Sequence, residues 1–403
     1  MTDKKEIKNS FIEFVSLMAL YMALMAMSID MILPALPFIG HEFGVLDENK
    51  TQYVIYTLFL GFTFGQIIYG PIADSFGRKP TVYAGLSLLI IGDIISILSH
   101  NFHMLLIGRF LQGFGAASPR ITSMAIVRDL YKGRDMARVM SLIMTIFIII
   151  PIIAPAFGQL ILLVTGWRTM FVIFLAAALI ATIWTYFRLP ETIKRQDVRP
   201  FHIKEIMRDF GKVFQNKTTM IYAVCSGMIF GALIAYIASS RQIFQDYFAL
   251  GKIFPLFFAI GAISIGVSSI VNSMIVKRFG MRYICYRALI VMIFISSLII
   301  LAEVLQGDKV YLWQFMIFIL VTFFCVGLLF GNLNALAMEP MGHIAGVAAT
   351  VIGCVSSGIS VIIGALIGQA YNNTLMPITV GFLILTSLSL ALQKLVDKDI
   401  AVN

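Results

Sequence analysis

Twelve long apolar runs set the limits on what this chain can fold into. They fall at about 11–38, 51–75, 80–99, 102–128, 137–165, 167–188, 219–245, 251–277, 282–304, 310–338, 342–371 and 374–394. A helix needs about 20 apolar residues to cross a bilayer of roughly 30 Å, and runs longer than that imply tilt or a polar interior lining. Gly166 and Leu250-Gly251 mark the joins between spans five and six and between seven and eight. The balance of residues agrees: 59% are hydrophobic and 13% charged, with a mean hydropathy of +0.92. A soluble domain carries about 25% charged residues, so a cytosolic enzyme, a disordered tail and a nucleic-acid module are excluded. The first run follows a short basic stretch, is far longer than a signal-peptide core and precedes no small-residue cleavage site, so it reads as a retained span. The expectation is an all-α membrane protein of twelve transmembrane helices.

The net charge of +9 invites a nucleic-acid reading, but its placement argues otherwise. Of 30 Lys and Arg residues, 23 fall on the side of the N-terminus. Lys50, Arg168, Lys252 and Lys309 fall on the other side, and Arg109, Arg120 and Arg241 lie inside or near the ends of spans. That bias is the positive-inside pattern. With an even number of spans it predicts both termini in the cytoplasm.

The longest connection, 189–218, sits at the middle of the chain and opens with Leu189-Pro190-Glu191. Ile203, Ile206, Met207, Phe210 and Phe214 recur there at helical spacing, which suits an amphipathic helix on the membrane face. We read 1–188 and 219–403 as six-helix halves joined by this linker. Phe76-Gly77 after span two is echoed by Phe279-Gly280 after span eight, a location that fits a duplicated six-helix unit. Parallel repeats are a recurrent transporter plan.

Few charges remain inside the spans. Asp30 lies in the outer half of span one, where a charge costs at least about 2.5–3.5 kcal/mol, so it should face a cavity and a partner. Burial favours the neutral form of a carboxylate and a nearby cation the charged form, so a carboxylate balanced between them can exchange a proton between states. Pro34 and Pro37 bend or end the helix just beyond. Arg109 and Arg120 are eleven residues apart and differ by about 20° around span four. Gln112, Gly113 and Ala116 share their stripe, which suits a helix lining a water-filled cavity; Arg120 could instead snorkel toward carbonyls or lipid phosphate. Gln52, Tyr56, Thr63 and Gln66 form a polar face on span two, with Tyr69 nearby, fit either for substrate or for interhelical hydrogen bonds. Asn332 and Glu339 share a face of span ten, where a gating or capping role fits Glu339. Asp93 in span three calls for a partner on a neighbouring helix. Met18, Met22, Met25, Met27 and Met31 crowd span one, and 33 phenylalanines run through the chain; such side chains suit variable ligands or a lipid-facing surface. Cys225, Cys285, Cys325 and Cys354 read as small hydrophobes, and five scattered histidines offer neither a metal site nor a catalytic cluster.

Five segments carry a family resemblance. GPIADSFGRKP (70–80) resembles the signature loop between spans two and three of the major facilitator superfamily, with Ile72 in place of the usual Leu. GRFLQGFGAA (108–117) resembles its span-four arginine element. APAFG (154–158) is similar to the antiporter motif of span five, with Ala154 and Gln159 replacing glycines. SIDMILPALP (28–37) and NALAMEPMGHIAG (334–346) are similar to the Bcr/CflA branch of bicyclomycin- and phenicol-resistance drug:proton antiporters. The resemblance covers nearly the whole chain and implies two pseudo-symmetric six-helix halves. It also implies a gating contact built from Gly70, Asp74, Gly77, Arg78 and Asp129, with Asp74 at the start of span eleven and Arg78 pairing with Asp74 and Asp129. Asp30 would be the acid linked to substrate and proton, Arg109 would hold it in balance, and Gln112, Tyr56 and Gln66 would complete the site. Pro155 and Gly158 would carry the antiporter motif. Distant relatives place a second acid deeper in span one; here that region reads Tyr21-Met22-Ala23.

The expected function is proton-driven export of a small amphipathic compound by alternating access, without cofactor or metal, by a monomer whose partners are its substrate, protons and the bilayer. A metabolite exporter or uptake permease of the same fold is the rival, and a non-transporting sensor a more distant one. A membrane enzyme would need a nucleophile–base or metal cluster.

Overall fold

The computed structural model describes residues 10–193, 202–307 and 309–402. Its helices are α1 (Phe11–Asp30), α2 (Leu36–Glu42), α3 (Glu48–Thr51), α4 (Tyr53–Phe76), α5 (Arg78–Ile97), α6 (Phe102–Leu130), α7 (Gly133–Val164), α8 (Arg168–Arg188), α9 (Ile203–Gln215), α10 (Lys217–Arg241), α11 (Phe254–Phe279), α12 (Met281–Leu305), α13 (Leu312–Met338), α14 (Ala345–Gln369) and α15 (Met376–Val402). Twelve of the described helices have 20 residues or more, and they correspond to the twelve apolar runs. Eleven spans are long and apolar enough to cross a membrane. The twelfth long helix, α6, is the more polar one, because Arg109, Gln112 and Arg120 lie within it. In lipid a backbone must satisfy its own hydrogen bonds, and the helix does so within one segment. Polar side chains finish the ends: Ser10, Asn101 and Asn216 accept from Glu13, Met104 and Thr219 N–H groups, the first-turn donors of α1, α6 and α10.

The Phe-Gly echo is also an echo of backbone shape. Gly77 between α4 and α5 has φ 103° and ψ 160°, and Gly280 between α11 and α12 has φ 81° and ψ 153°. Both lie in a region that side-chain-bearing residues rarely enter, so each glycine permits the same reversal in its own half. Within the first half, α6 is pressed between α4 and α5 by missing side chains. A Cβ on Gly113 would overlap the Leu58 carbonyl of α4, and one on Gly92 of α5 would stand 2.5 Å from the Gln112 nitrogen. The stripe of Gln112, Gly113 and Ala116 is therefore a packing surface, not the lining of a water-filled cavity as expected.

The two halves meet along two helix pairs, α7 with α11 and α4 with α14, and the latter run antiparallel in contact from end to end. A Cβ on Gly70 would lie 2.6 Å from Thr350 Oγ1, one on Gly353 2.8 Å from Gln66 Oε1, and one on Gly358 3.7 Å from Thr63 Cγ2. At the far end Gly368 faces Tyr56 and Gln52. Within the linker region α9 packs on α10 and α14, with Val213 buried and Met207 and Phe214 exposed. Residues 194–201 of that linker lie outside the described residues, and so do 1–9.

One structural acid was not singled out in the sequence. Glu303, near the end of α12, is fully buried, and its Oε1 accepts from the backbone N–H groups of Leu375 (3.0 Å) and Met376 (3.1 Å) at the start of α15. Removing the acceptor strands one buried and one partly buried donor. Glu303→Ala should lower stability by about 1–3 kcal/mol, seen as a reduced unfolding midpoint in detergent, while Glu303→Gln, which keeps an oxygen, should lose less.

Candidate functional site

Asp30 is the last residue of α1, and the chain turns there into a short 3-10 segment, Leu33–Ala35, and then α2. Pro34 and Pro37 stand in the first turns of those two segments, positions where a missing N–H costs nothing. The Asp30 side chain is 4% exposed. Among the described residues it makes no hydrogen bond and no ion pair.

The Asp30 turn is clamped from two sides. On one, Gly158 of α7 packs against the Met31 carbonyl so closely that any side chain would overlap it, with Ala154 and Pro155 buried one turn earlier. On the other, Arg109 of α6, fully buried, donates from Nη2 to the Ser28 carbonyl (2.8 Å), two residues before Asp30. Arg109 also donates from Nε to the Val54 carbonyl of α4 (2.9 Å) and from Nη1 to Gln112 Oε1 (2.5 Å). Gln112 Nε2 in turn donates to Asp93 Oδ1 of α5 (2.6 Å), and Asp93 is fully buried. The Arg109 ring neighbour is Phe171 of α8, 5.8 Å from the guanidinium carbon.

This corrects one expected pairing and fills one gap. Arg109 reaches the backbone beside Asp30, not its carboxylate. The carboxylate it answers to is Asp93, through Gln112. A buried guanidinium must place its donors on acceptors; an amide and two carbonyls from three helices supply them, and the amide in turn donates to an acid on a fourth. Arg120 lies about three turns further along the same face of α6, with Phe62 4.9 Å from its guanidinium carbon. The span-one methionines are mostly internal: Met18, Met22, Met25 and Met31 are all buried.

The polar face of span two faces the other half. Tyr56 donates to Gln52 Oε1 (2.9 Å), and Gln52 Nε2 donates to Gln242 Oε1 (2.6 Å) and Ser239 Oγ (3.2 Å). Gln66 Nε2 donates to Ser357 Oγ (2.9 Å). Of the two roles open for this face, the structure shows hydrogen bonding, and it runs between the halves. Asn49, not foreseen, is the hub of the same outer end. It donates to the Gln369 and Tyr371 carbonyls (3.2 and 2.7 Å) and accepts from Gln242 Nε2 (2.8 Å) and, at its carbonyl, from Gln369 Nε2 (2.6 Å). Arg241 and Glu48 add an ion pair at 2.8 Å.

The opposite, basic end is built around Arg78. It donates to Asp74 Oδ1 (2.5 Å) and to Asp129 Oδ2 (2.9 Å) at the end of α6. Asp74 Oδ2 lies 3.9 Å from the Cβ position of Gly346, in the first turn of α14, where a helix dipole favours an anion. Glu191, the third residue of the linker, accepts from the Arg78 and Lys79 N–H groups (3.0 and 3.1 Å) and so caps α5. Only Leu-Pro-Glu in the sequence hinted at it. Glu339 stands 3.7 Å from Arg282 at the start of α12, and Asn332 donates to Asn272 Oδ1 of α11 (2.8 Å); both contacts stay within the second half.

Two substitutions test the clamp. Arg109→Lys keeps the charge but offers one nitrogen where three bonds diverge. It should insert at wild-type level and lose transport at least about tenfold, roughly 1.4 kcal/mol, measured as flux per molecule in vesicles. Gly158→Val should push the Asp30 turn aside and give a comparable loss, whereas Ala156→Val, on an exposed position of the same helix turn, should leave flux unchanged.

A sequence profile of the Major Facilitator Superfamily matches residues 18–365. The uncharacterized MFS-type transporter YdgK of Bacillus subtilis is 29% identical over 85% of each chain. The bicyclomycin resistance protein homolog of Haemophilus influenzae is 29% identical over 92% of each. The multidrug resistance protein MdtL of Klebsiella pneumoniae is 34% identical over 41% of this chain and 42% of its own. Among solved structures, a D-xylose-proton symporter superposes with a TM-score of 0.74 at 14% identity, covering 96% of this chain and 97% of the other. The Escherichia coli xylose transporter XylE, in a partially occluded inward-open conformation, does so at 0.71 and 12%, with the same coverage. Those two likenesses concern the fold, and with the profile they place the twelve-helix bundle: the chain belongs to the Major Facilitator Superfamily, as an integral membrane transporter.

Proposed function

We propose that the protein is a proton-coupled exporter of small amphipathic compounds, of the Bcr/CflA type, working as a monomer in a bacterial inner membrane with its basic end and both termini in the cytoplasm. The observation that carries the coupling is Asp30: a buried carboxylate at a break in α1, without a partner among the described residues, held from both sides by backbone contacts. Such a group can take a proton in one state and release it in the other without breaking an existing ion pair. The names of the Haemophilus and Klebsiella relatives, bicyclomycin resistance and multidrug resistance, favour export over uptake. No cofactor is needed; the proton gradient drives the cycle.

The geometry supports an alternating-access cycle with two locks on one seam. The outer lock is Asn49 and Gln52 against Gln242 and Gln369; the inner is Gly70 and Asp74 against Thr350 and Gly346. Opening either side means parting α4 from α14 at that end while the other end holds. Between the locks, Phe59 of α4 meets Phe230 of α10 at 6.3 Å, and Phe230 meets Phe330 of α13 at 5.8 Å. When the halves part, these rings offer an apolar surface to the body of a substrate. Arg109 ties Ser28 to Val54, so the end of α1 moves with α4 as one block. A proton on Asp30 thus acts on α4, which carries the inner lock and begins directly after Gln52 of the outer one.

The test is gradient-driven flux in proteoliposomes across a panel of phenicols and other amphipathic drugs, with Asp30→Asn beside wild type. The variant should bind substrate and exchange it passively, yet lose accumulation driven by a proton gradient. Unchanged gradient-driven transport by Asp30→Asn would reject the coupling site. Flux by wild type without any gradient dependence would reject proton coupling altogether.

A further inference from the structure

On the flank of the second half, α11, α12 and α13 leave an open groove of about 540 Å³, within the range of small-molecule sites. At the matching place in the first half the helices are in close contact. There Gly85 and Gly92 of α5 let α6 approach, whereas α12 contains no glycine. With the register that aligns Gly77 with Gly280, Ala288 stands where Gly85 does, and Ala288 lines the groove. The gap follows from that difference.

The lining is mostly apolar; its polar groups are those of Ser264, Tyr283 and Arg287, and the Ser264 hydroxyl is committed to the Leu320 carbonyl (2.7 Å). Arg287 is the single charged lining residue. It is exposed, six residues into α12, about 9 Å along the helix from the basic end. Around it the exposed residues of α12 include Tyr283, Ile290, Val291, Phe294 and Leu298, a lipid-facing surface. Among the described residues no carboxylate pairs with Arg287. Its guanidinium carbon lies 5.2 Å from the Tyr283 ring, Tyr283 stacks on Phe279 at 5.7 Å and 18°, and Arg278 covers the other end at 5.4 Å from Phe279. Two guanidinium groups therefore flank a stacked aromatic pair at the mouth of an apolar groove.

We propose that this groove is a binding site for an anionic phospholipid of the leaflet at the basic end. An acyl chain lies along Ile275, Val291 and Phe324, and the headgroup phosphate is held by Arg287, with Arg278 contributing at the rim. A guanidinium at this depth in lipid needs an anion, a phosphate fits its paired donors, and basic pockets between helices recognise acidic headgroups. The aromatic stack holds both cations in place by cation–π contact. The site is separate from Asp30 and does not depend on proton coupling.

Native mass spectrometry of the full chain in non-ionic detergent, with equimolar phosphatidylglycerol and phosphatidylcholine of identical acyl chains, tests this. Wild type should retain phosphatidylglycerol over phosphatidylcholine by about tenfold or more. Arg287→Gln should bring the ratio near parity, and Arg287→Lys should keep part of it. Val291→Trp, which fills the groove from an exposed position, should reduce retention of both lipids. Glycerol 3-phosphate, a headgroup without tails, should not displace the lipid. The proposal is overturned if wild type shows no headgroup preference, if Arg287→Gln keeps it, if Val291→Trp retains lipid fully, or if the free headgroup competes.

Discussion

Arg109 is the point on which the first half turns. A guanidinium sealed from water inside a bilayer protein is tolerable only if its donors meet acceptors. The acceptors come from α1, α4 and α6 directly, and from α5 through Gln112. Satisfying one charge thus fixes four helices relative to one another. The close glycine contacts of α6 with α4 and α5 follow the same requirement, since the arginine reaches its carbonyls only if the backbones approach. Asp93 completes the arrangement by leaving the cluster with one acid for one base.

That block then presents α4 to α14 as a single surface. The seam is short of bulky side chains on the α14 side and hydrogen-bonded at its outer end through amides, not mainly through ion pairs. Amide contacts exchange readily with water when a gap opens, and their net worth is modest, about 0.5–1.5 kcal/mol each. Such a closure can be strong in number yet reversible. The inner end differs: Asp74 is held by Arg78, which is also held by Asp129, so the anion facing α14 is oriented before the halves meet. Preorganisation lowers the cost of remaking that contact on each cycle.

Much of this was legible in the residues alone, for stated reasons. Span positions follow from bilayer thickness, and the repeat from a dipeptide whose glycine the turn demands. The Arg78 bridge follows from a motif whose partners are local or at a helix end. What failed to show was the identity of neighbours. Helical periodicity places Gln112 and Arg109 on one face of α6, but not which helix fills that face, so a packed interface read as a cavity lining. The family resemblance pairs Arg109 with Asp30, whereas the acid in its hydrogen-bonded cluster is Asp93. Periodicity also left Tyr56 and Gln66 undecided between substrate and interhelical contact, where the structure joins them to polar groups at the meeting of the halves. Asn49, Glu191 and Glu303 are ordinary polar residues at span ends, and only tertiary contact reveals a hub and two caps.

The halves divide the work unevenly. In the middle of the bundle the buried charges Asp30, Asp93 and Arg109 all belong to the first half. The second half answers with Asn272 and Asn332, small residues, and rings such as Phe230 and Phe330. Charged groups demand fixed geometry, so the half that holds them is bound tightly through glycine contacts. Aromatic and aliphatic surface is non-directional and accepts many shapes. A transporter that reads protons with one rigid half and meets its cargo across an apolar seam can keep its coupling chemistry constant while its range of compounds stays broad. The looser packing of the second half is the other side of that division, and it is what leaves room on its flank for a lipid.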